Sequence, residues 1–135
     1  MLVSELAKRS GTTTETIRYY TRIGLLKPRQ IEGNGYRRFA VQDIHLLHFI
    51  QRAKLLGFSL KDVRQILAKS EAGKSPCPQV RDLIKARIAE TRARLEELTQ
   101  LQSRMEEALL LWDSMPDRMP DGNSICHLIE SVDFQ

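Results

Sequence analysis

Between Pro78 and Met115 the chain has no glycine and no second proline, and its apolar residues recur in steps of four and three. The series is Ile84, Ile88, Thr91, Leu95, Leu98, Gln102, Met105, Leu109 and Trp112, and seven of these nine are apolar. A seam sustained for about four heptads is the signal of a coiled coil. As one helix the segment would run about 55 Å, at about 1.5 Å per residue. A helix that long cannot bury its seam within a chain of 135 residues, so a second copy is implied. The flanking charges (Arg87, Arg92, Arg94, Glu96, Glu97, Arg104, Glu106, Glu107) suit parallel or antiparallel pairing equally.

Charge divides the chain on either side of residue 70. Residues 1–69 hold 13 Lys+Arg and 5 Asp+Glu, a net of +8, whereas residues 70–135 hold 8 and 12, a net of −4. The basic half is the electrostatic footprint of a polyanion partner. No long apolar run or charged-then-apolar leader occurs, so the expected location is cytoplasmic, with no membrane partner. Two cysteines, Cys77 and Cys126, are too few for a disulfide framework and read as thiols.

The basic half reads as short helices joined by tight turns. Ser4 can cap a first helix to Arg9, and Ser10-Gly11-Thr12 turns the chain. Thr12-x-x-Glu15 reads as a capping box for a second helix, which carries Arg18, Tyr19, Tyr20 and Arg22 before Pro28 ends the segment. Gly33-Asn34-Gly35 is a hairpin signal, with Tyr36, Arg37 and Arg38 beside it. A third helix from Val41 to Leu56 shows Ile44, Leu47, Ile50, Ala53 and Leu55 close to helical spacing. After Gly57, Ser59-x-x-Asp62 starts a fourth, burying Leu60, Val63, Ile66 and Leu67.

This is a helix-turn-helix followed by a basic wing. Thr13, Thr14, Thr16, Arg18, Tyr19 and Arg22 are the candidates for groove and phosphate contacts. Arginine holds guanine O6 and N7 bidentately, and hydroxyls donate to phosphate. Tyr36, Arg37 and Arg38 would clamp the DNA backbone. His45 and His48 lack a further ligand nearby and read as structural. No nucleophile–base pair, phosphate-cradling loop or partnered carboxylate pair is evident, so an enzyme is not expected.

SELAKRSGTTTETIRYYTRIGLL, then NGYRRF, then DIHLLHFIQRAKLLGFSLKDVRQIL resembles the mercury-resistance regulator (MerR) family of bacterial transcription factors. The resemblance is close over residues 1–70 and looser into the long helix. It implies a mainly all-α fold: a winged helix-turn-helix head with a small β-hairpin wing over 1–70 and a linker over 71–77. An antiparallel coiled-coil dimerisation helix over 78–115 and an effector loop with a short helix over 116–135 complete it. It also implies a homodimer on a pseudo-palindromic promoter, which distorts the DNA so that RNA polymerase can use both promoter elements.

The effector reading rests on the two thiols. Cys77 precedes Pro78, a favoured first helical residue, and Cys126 reads as lying in the first turn of a last helix that reaches Ser131. Resemblance to the metal-sensing branch implies a site shared across the dimer, with Cys77 from one chain and Cys126 from the other. That branch carries another loop cysteine about nine residues before the last, and here Asp117 stands at that spacing. The third donor is then His127, Asp117 or Asp121, and a mixed set suits Zn(II) or another divalent thiophilic ion. The alternatives are a sensor of thiol-reactive aldehydes or oxidants on the same scaffold, and an effector-free architectural DNA-binding protein.

Overall fold

The computed structural model describes residues 1–134 apart from 32, 34 and 36; for 30, 31 and 37 it describes the backbone alone. The order is α1 (Val3–Ser10), α2 (Thr14–Arg22), β1 (Gln30–Ile31), β2 (Arg37–Arg38), α3 (Gln42–Leu55), α4 (Leu60–Glu71), α5 (Cys77–Trp112) and α6 (His127–Glu130). The chain forms two compact units, residues 1–87 and residues 88–135. No helix among the described residues is long and apolar enough to cross a membrane.

In the first unit α1 packs on α2 and α3. Its core holds Leu6, Ile17, Leu26, Leu47, Ile50 and Val63, all nearly inaccessible to solvent. Val80, Leu83 and Ile84, from the start of α5, pack partly buried against this core. Gly11 ends α1 with φ 73°, a left-handed conformation that glycine adopts without a Cβ clash, and its N–H returns to the Ala7 carbonyl. β1 and β2 pair antiparallel, Gln30 with Arg38 and Ile31 with Arg37. The Arg29 N–H donates to the Arg38 carbonyl at 2.8 Å, continuing the hairpin.

Several boundaries differ from the sequence reading, each for a local reason. α1 begins at Val3 behind an N-cap Leu2 with no side-chain cap, so Ser4 lies inside the helix. Residue 1 is fastened instead by the Phe39 N–H, which donates to the Met1 carbonyl at 2.6 Å. The cap of α2 is Thr13, whose hydroxyl accepts from the Thr16 N–H at 3.1 Å, and the Thr12–Glu15 box is not formed. α2 stops at Arg22, well before Pro28, because the N–H groups of Leu25 and Leu26 fold back onto the Tyr20 carbonyl. Leu55, in the same apolar series, is 88% exposed: it lies five residues past Ile50, about 140° round the helix at about 100° per residue. Val63 and Ile66 are buried, while Leu60 and Leu67 are half-buried.

Ser59 and Asp62 form a complete capping box on α4. The Ser59 hydroxyl accepts from the Asp62 N–H at 3.1 Å, and Asp62 Oδ2 accepts from the Ser59 N–H at 3.0 Å. Arg87, read from the sequence as one of the charges around the seam, turns to this box. Its Nε and Nη2 donate to Asp62 Oδ2 at 3.1 and 2.6 Å.

In the second unit α5 continues unbroken to Trp112, and no residue of the helix is buried. The apolar seam residues Ile88, Leu95, Leu98, Met105 and Leu109 are all exposed, Leu95 and Met105 at 59% each. A loop over 113–126 follows, with an isolated bridge between Asp121 and Ser124, and α6 is a single turn.

Candidate functional site

The basic surface is built by α2. Its buried face carries Ile17 and Tyr20, three residues apart, which fixes the opposite face outward. Arg18, Tyr19 and Arg22 are exposed there. The Arg22 guanidinium lies 5.4 Å from the centre of the Tyr19 ring, a cation–π distance. The Tyr19 and Tyr20 rings sit 6.0 Å apart and tilted by 46°, so the buried Tyr20 steadies the exposed Tyr19. Two charged groups and a phenol thus leave one helix face with restricted freedom, which suits groove and phosphate contacts.

The threonines divide their roles. Thr13 is exposed, whereas Thr14 and Thr16 are half-buried. The Thr13 and Thr16 hydroxyl oxygens are 2.8 Å apart. One shared hydrogen bond uses one of the two O–H protons, and the other remains to donate to an anion. Arg38 is exposed on β2. Tyr36 and the Arg37 side chain lie outside the described residues.

Three supports were not read from the sequence. Gln51 Nε2 donates to Thr12 Oγ1 at 2.7 Å, tying α3 to the turn that aims α2. Asp43, buried at the head of α3, accepts from the Ala40 N–H at 2.8 Å and faces Arg29 at 3.9 Å. Arg64 donates to the Ile23 carbonyl beside the end of α2. These partners are 3 to 41 residues apart in the chain, and the long-range ones carry no local signal. His45 is exposed and His48 half-buried on α3.

The thiols are both free. Cys77 is exposed at the first position of α5, and its N–H donates to the Ser75 hydroxyl at 3.3 Å. Cys126 is half-buried and is the N-cap of α6, one position before the first turn where the sequence placed it. His127 Nε2 lies 2.7 Å from the Pro116 carbonyl oxygen. A carbonyl only accepts, so Nε2 carries the proton and, in the neutral ring, Nδ1 keeps the lone pair that could bind a metal. Asp117 is exposed. Asp121 serves a turn: its Oδ1 accepts from the Asn123 N–H at 2.7 Å. Among the described residues no three His, Cys, Asp or Glu side chains gather in a single chain as a metal-holding group.

Glu130 closes the end of the loop. Its Oε1 accepts from the Ser124 hydroxyl at 2.6 Å and its Oε2 from the Ile125 N–H at 3.1 Å. The Ser124 hydroxyl foremost, then the Ile125 and Cys126 N–H groups, hold its carboxyl below the usual carboxylate range. At the end of α5 the Trp112 indole N–H is buried with no hydrogen-bond partner among the described residues.

Comparison with known proteins bears on both surfaces. The family model described as "MerR HTH family regulatory protein" matches residues 1–70, and that described as "MerR, DNA binding" matches residues 44–108. The chain is 42% identical over 106 residues to the HTH-type transcriptional regulator HmrR of Rhizobium leguminosarum bv. viciae, covering 78% of this chain and 81% of that protein. It is 31% identical over 132 residues to the mercuric resistance operon regulatory protein of Bacillus cereus, covering 96% and 95%. Among solved structures it is similar to the transcription regulator PbrR691 of Ralstonia metallidurans CH34 in complex with lead(II). There the TM-score is 0.76 at 27% identity, covering 97% of this chain and 98% of that one.

Proposed function

The chain belongs to the MerR family of helix-turn-helix regulators, and on that premise we propose that it is a promoter-bound homodimer switched by a metal ion. It is a DNA-binding transcriptional regulator and not an enzyme. The proposed division is a DNA-binding head over 1–70, a dimerisation helix over 78–115 and an effector segment over 116–135.

The observation that carries the dimer is the exposed seam. A solvent-facing row of Ile88, Leu95, Leu98, Met105 and Leu109 costs free energy in water that a second, antiparallel copy would recover. The heads then act as a pair. Arg18, Tyr19 and Arg22 enter each half of a pseudo-palindromic site, while Arg38 and its neighbours hold the backbone at the wing. Specificity at bases that no side chain reaches would come from the energy of bending and untwisting the promoter, which brings both elements into register for RNA polymerase.

The effector reading rests on the two free thiols, each at a helix start. Metal-sensing relatives include the mercuric regulator, and PbrR691 has been solved with lead(II). In this chain Cys77 of one protomer and Cys126 of the other supply the sulfur ligands, with His127 through Nδ1, or Asp117, as the third donor. The donor chemistry fits Zn(II) or another divalent thiophilic ion, which when bound supplies a cross-link between protomers.

The test is a titration of the reduced protein with Zn(II), Cd(II), Pb(II), Hg(II) and Cu(I), following thiolate-to-metal absorbance and a promoter reporter. Tight binding of a divalent ion and loss of the response in Cys77→Ser and Cys126→Ser support the reading. An undiminished response in both variants excludes it. The exposure of Cys77 favours one second reading, a sensor of thiol-reactive aldehydes or oxidants, for which Cys77→Ser alone would abolish a metal-independent response.

A further inference from the structure

The loop over 113–126 is buckled to α6 at two places. His127 holds Pro116 near the loop's start, and Glu130 holds its end. The second hold is the more complete. Two consecutive residues, Ser124 through its hydroxyl and Ile125 through its N–H, donate to one carboxylate, and the Glu130 N–H itself donates to the Cys126 carbonyl at 3.0 Å. Donors on successive residues that converge on one anion leave their backbone little freedom, and that backbone sets where the Cβ and thiol of Cys126 point. Glu130 is the last residue of the single-turn α6, and its oxygens reach back past the helix start.

We propose that Glu130 is the positioning residue of the effector loop, fixing Cys126 in the effector-free protein so that its thiol is presented ready-set to an incoming cation. Glu130 acts on Cys126 through these donors and needs no bond of its own to the ion. It plays the part of the outer partners that orient metal ligands elsewhere, whose removal costs roughly 10–100-fold in affinity. The inference rests on the reading of Cys126 as a metal-holding residue.

The experiment uses the full-length protein with Glu130→Ala and Ser124→Ala. Three quantities are read: the alkylation rate of Cys126 by iodoacetamide without metal, with Cys77 as internal reference; Cd(II) affinity from thiolate absorbance; and DNA affinity. In Glu130→Ala the Cys126 rate should rise severalfold against Cys77, and Cd(II) affinity should fall about tenfold or more. DNA affinity should stay at the wild-type value, and Ser124→Ala should give a smaller change in the same direction. An unchanged alkylation ratio overturns the clasp whatever cadmium does, and faster alkylation with unchanged Cd(II) affinity overturns the positioning role. Faster alkylation together with no Cd(II) uptake by the wild type supports the clasp and overturns the metal reading alone.

Discussion

Arg87 on α5 donates through Nη2 to Asp62 Oδ2 at 2.6 Å, while the same oxygen accepts from the Ser59 N–H that Asp62 caps. One carboxylate therefore both starts α4 and anchors the first turns of the long helix. Its side chain is only 7% exposed, against 30% for Arg87, so water competes weakly for it.

Removing the arginine should leave a buried charge without its main partner. Arg87→Ala is expected to destabilise the protein by about 1–3 kcal/mol in urea unfolding. A loss below about 0.5 kcal/mol, the usual range of an exposed surface change, would mean the pair is ornamental.

The same pair sets an acid response. Burial raises the Asp62 pKa, but the Ser59 N–H, the Arg87 side chain and the Ser59 hydroxyl together outweigh it, and the folded value lies below the ordinary 3.8. The unfolded chain therefore binds the proton more readily. The contribution is complete above about pH 4 and disappears as pH falls through the lower, folded pKa. Asp62→Asn should accordingly lose stability at pH 7, and its deficit against wild type should shrink as pH falls below about 4. A deficit that is constant with pH would contradict the assignment.

The cap of α2 makes a sharp comparison. Thr13→Ala should cost about 1 kcal/mol, the usual worth of an N-cap hydroxyl. Glu15→Ala, which a Thr12–Glu15 box would make costly, should change stability by less than about 0.5 kcal/mol. The reverse order in thermal melts would restore the cap to Thr12.

Binding to DNA should respond differently to two arginines of one face. Arg18→Ala should lose about 1–3 kcal/mol of specific affinity and blur the footprint at one base pair. Arg22→Ala is expected to weaken all sequences evenly, as loss of a phosphate contact does, and to reduce the slope of log affinity against log salt by about one. If Arg18→Ala gives the uniform loss instead, the recognition helix enters the groove in another register.

The seam can be tested without DNA. Leu98→Asp places a charge in the exposed apolar row of α5, and sedimentation should then report a monomer where the wild type sediments as a dimer. A wild type that sediments as a monomer at micromolar concentration would defeat the pairing outright.

What could be read from the sequence was whatever is local and periodic. The long helix followed from its heptads, and the head from its turns and its Arg18-Tyr19 face. Precision failed where neighbours are chemically equivalent. Three consecutive threonines can each cap α2, and only the left-handed Gly11 and the Gln51 bond to Thr12 leave Thr13 in the capping place. Leu55 belongs to the same apolar series as Ile50 and Ala53, but its angle round the helix puts it in water. The partners of Arg87 and Gln51, 25 and 39 residues away, have no pattern to announce them. At the thiols, the residue types were legible and the Glu130 clasp was not, because a carboxylate reaching back past its own helix follows no standard cap spacing.

Trp112 is the chain's single tryptophan, and its indole N–H is buried without a partner among the described residues where α5 gives way to the loop. An unanswered donor in such a place is costly, by about 1–3 kcal/mol, and is answered cheaply by any acceptor or water that comes within reach. The molecule thus carries its own chromophore at the foot of the loop over 113–126. Its emission colour should register a rearrangement there with no dye attached, giving a direct optical clock for the proposed switching step.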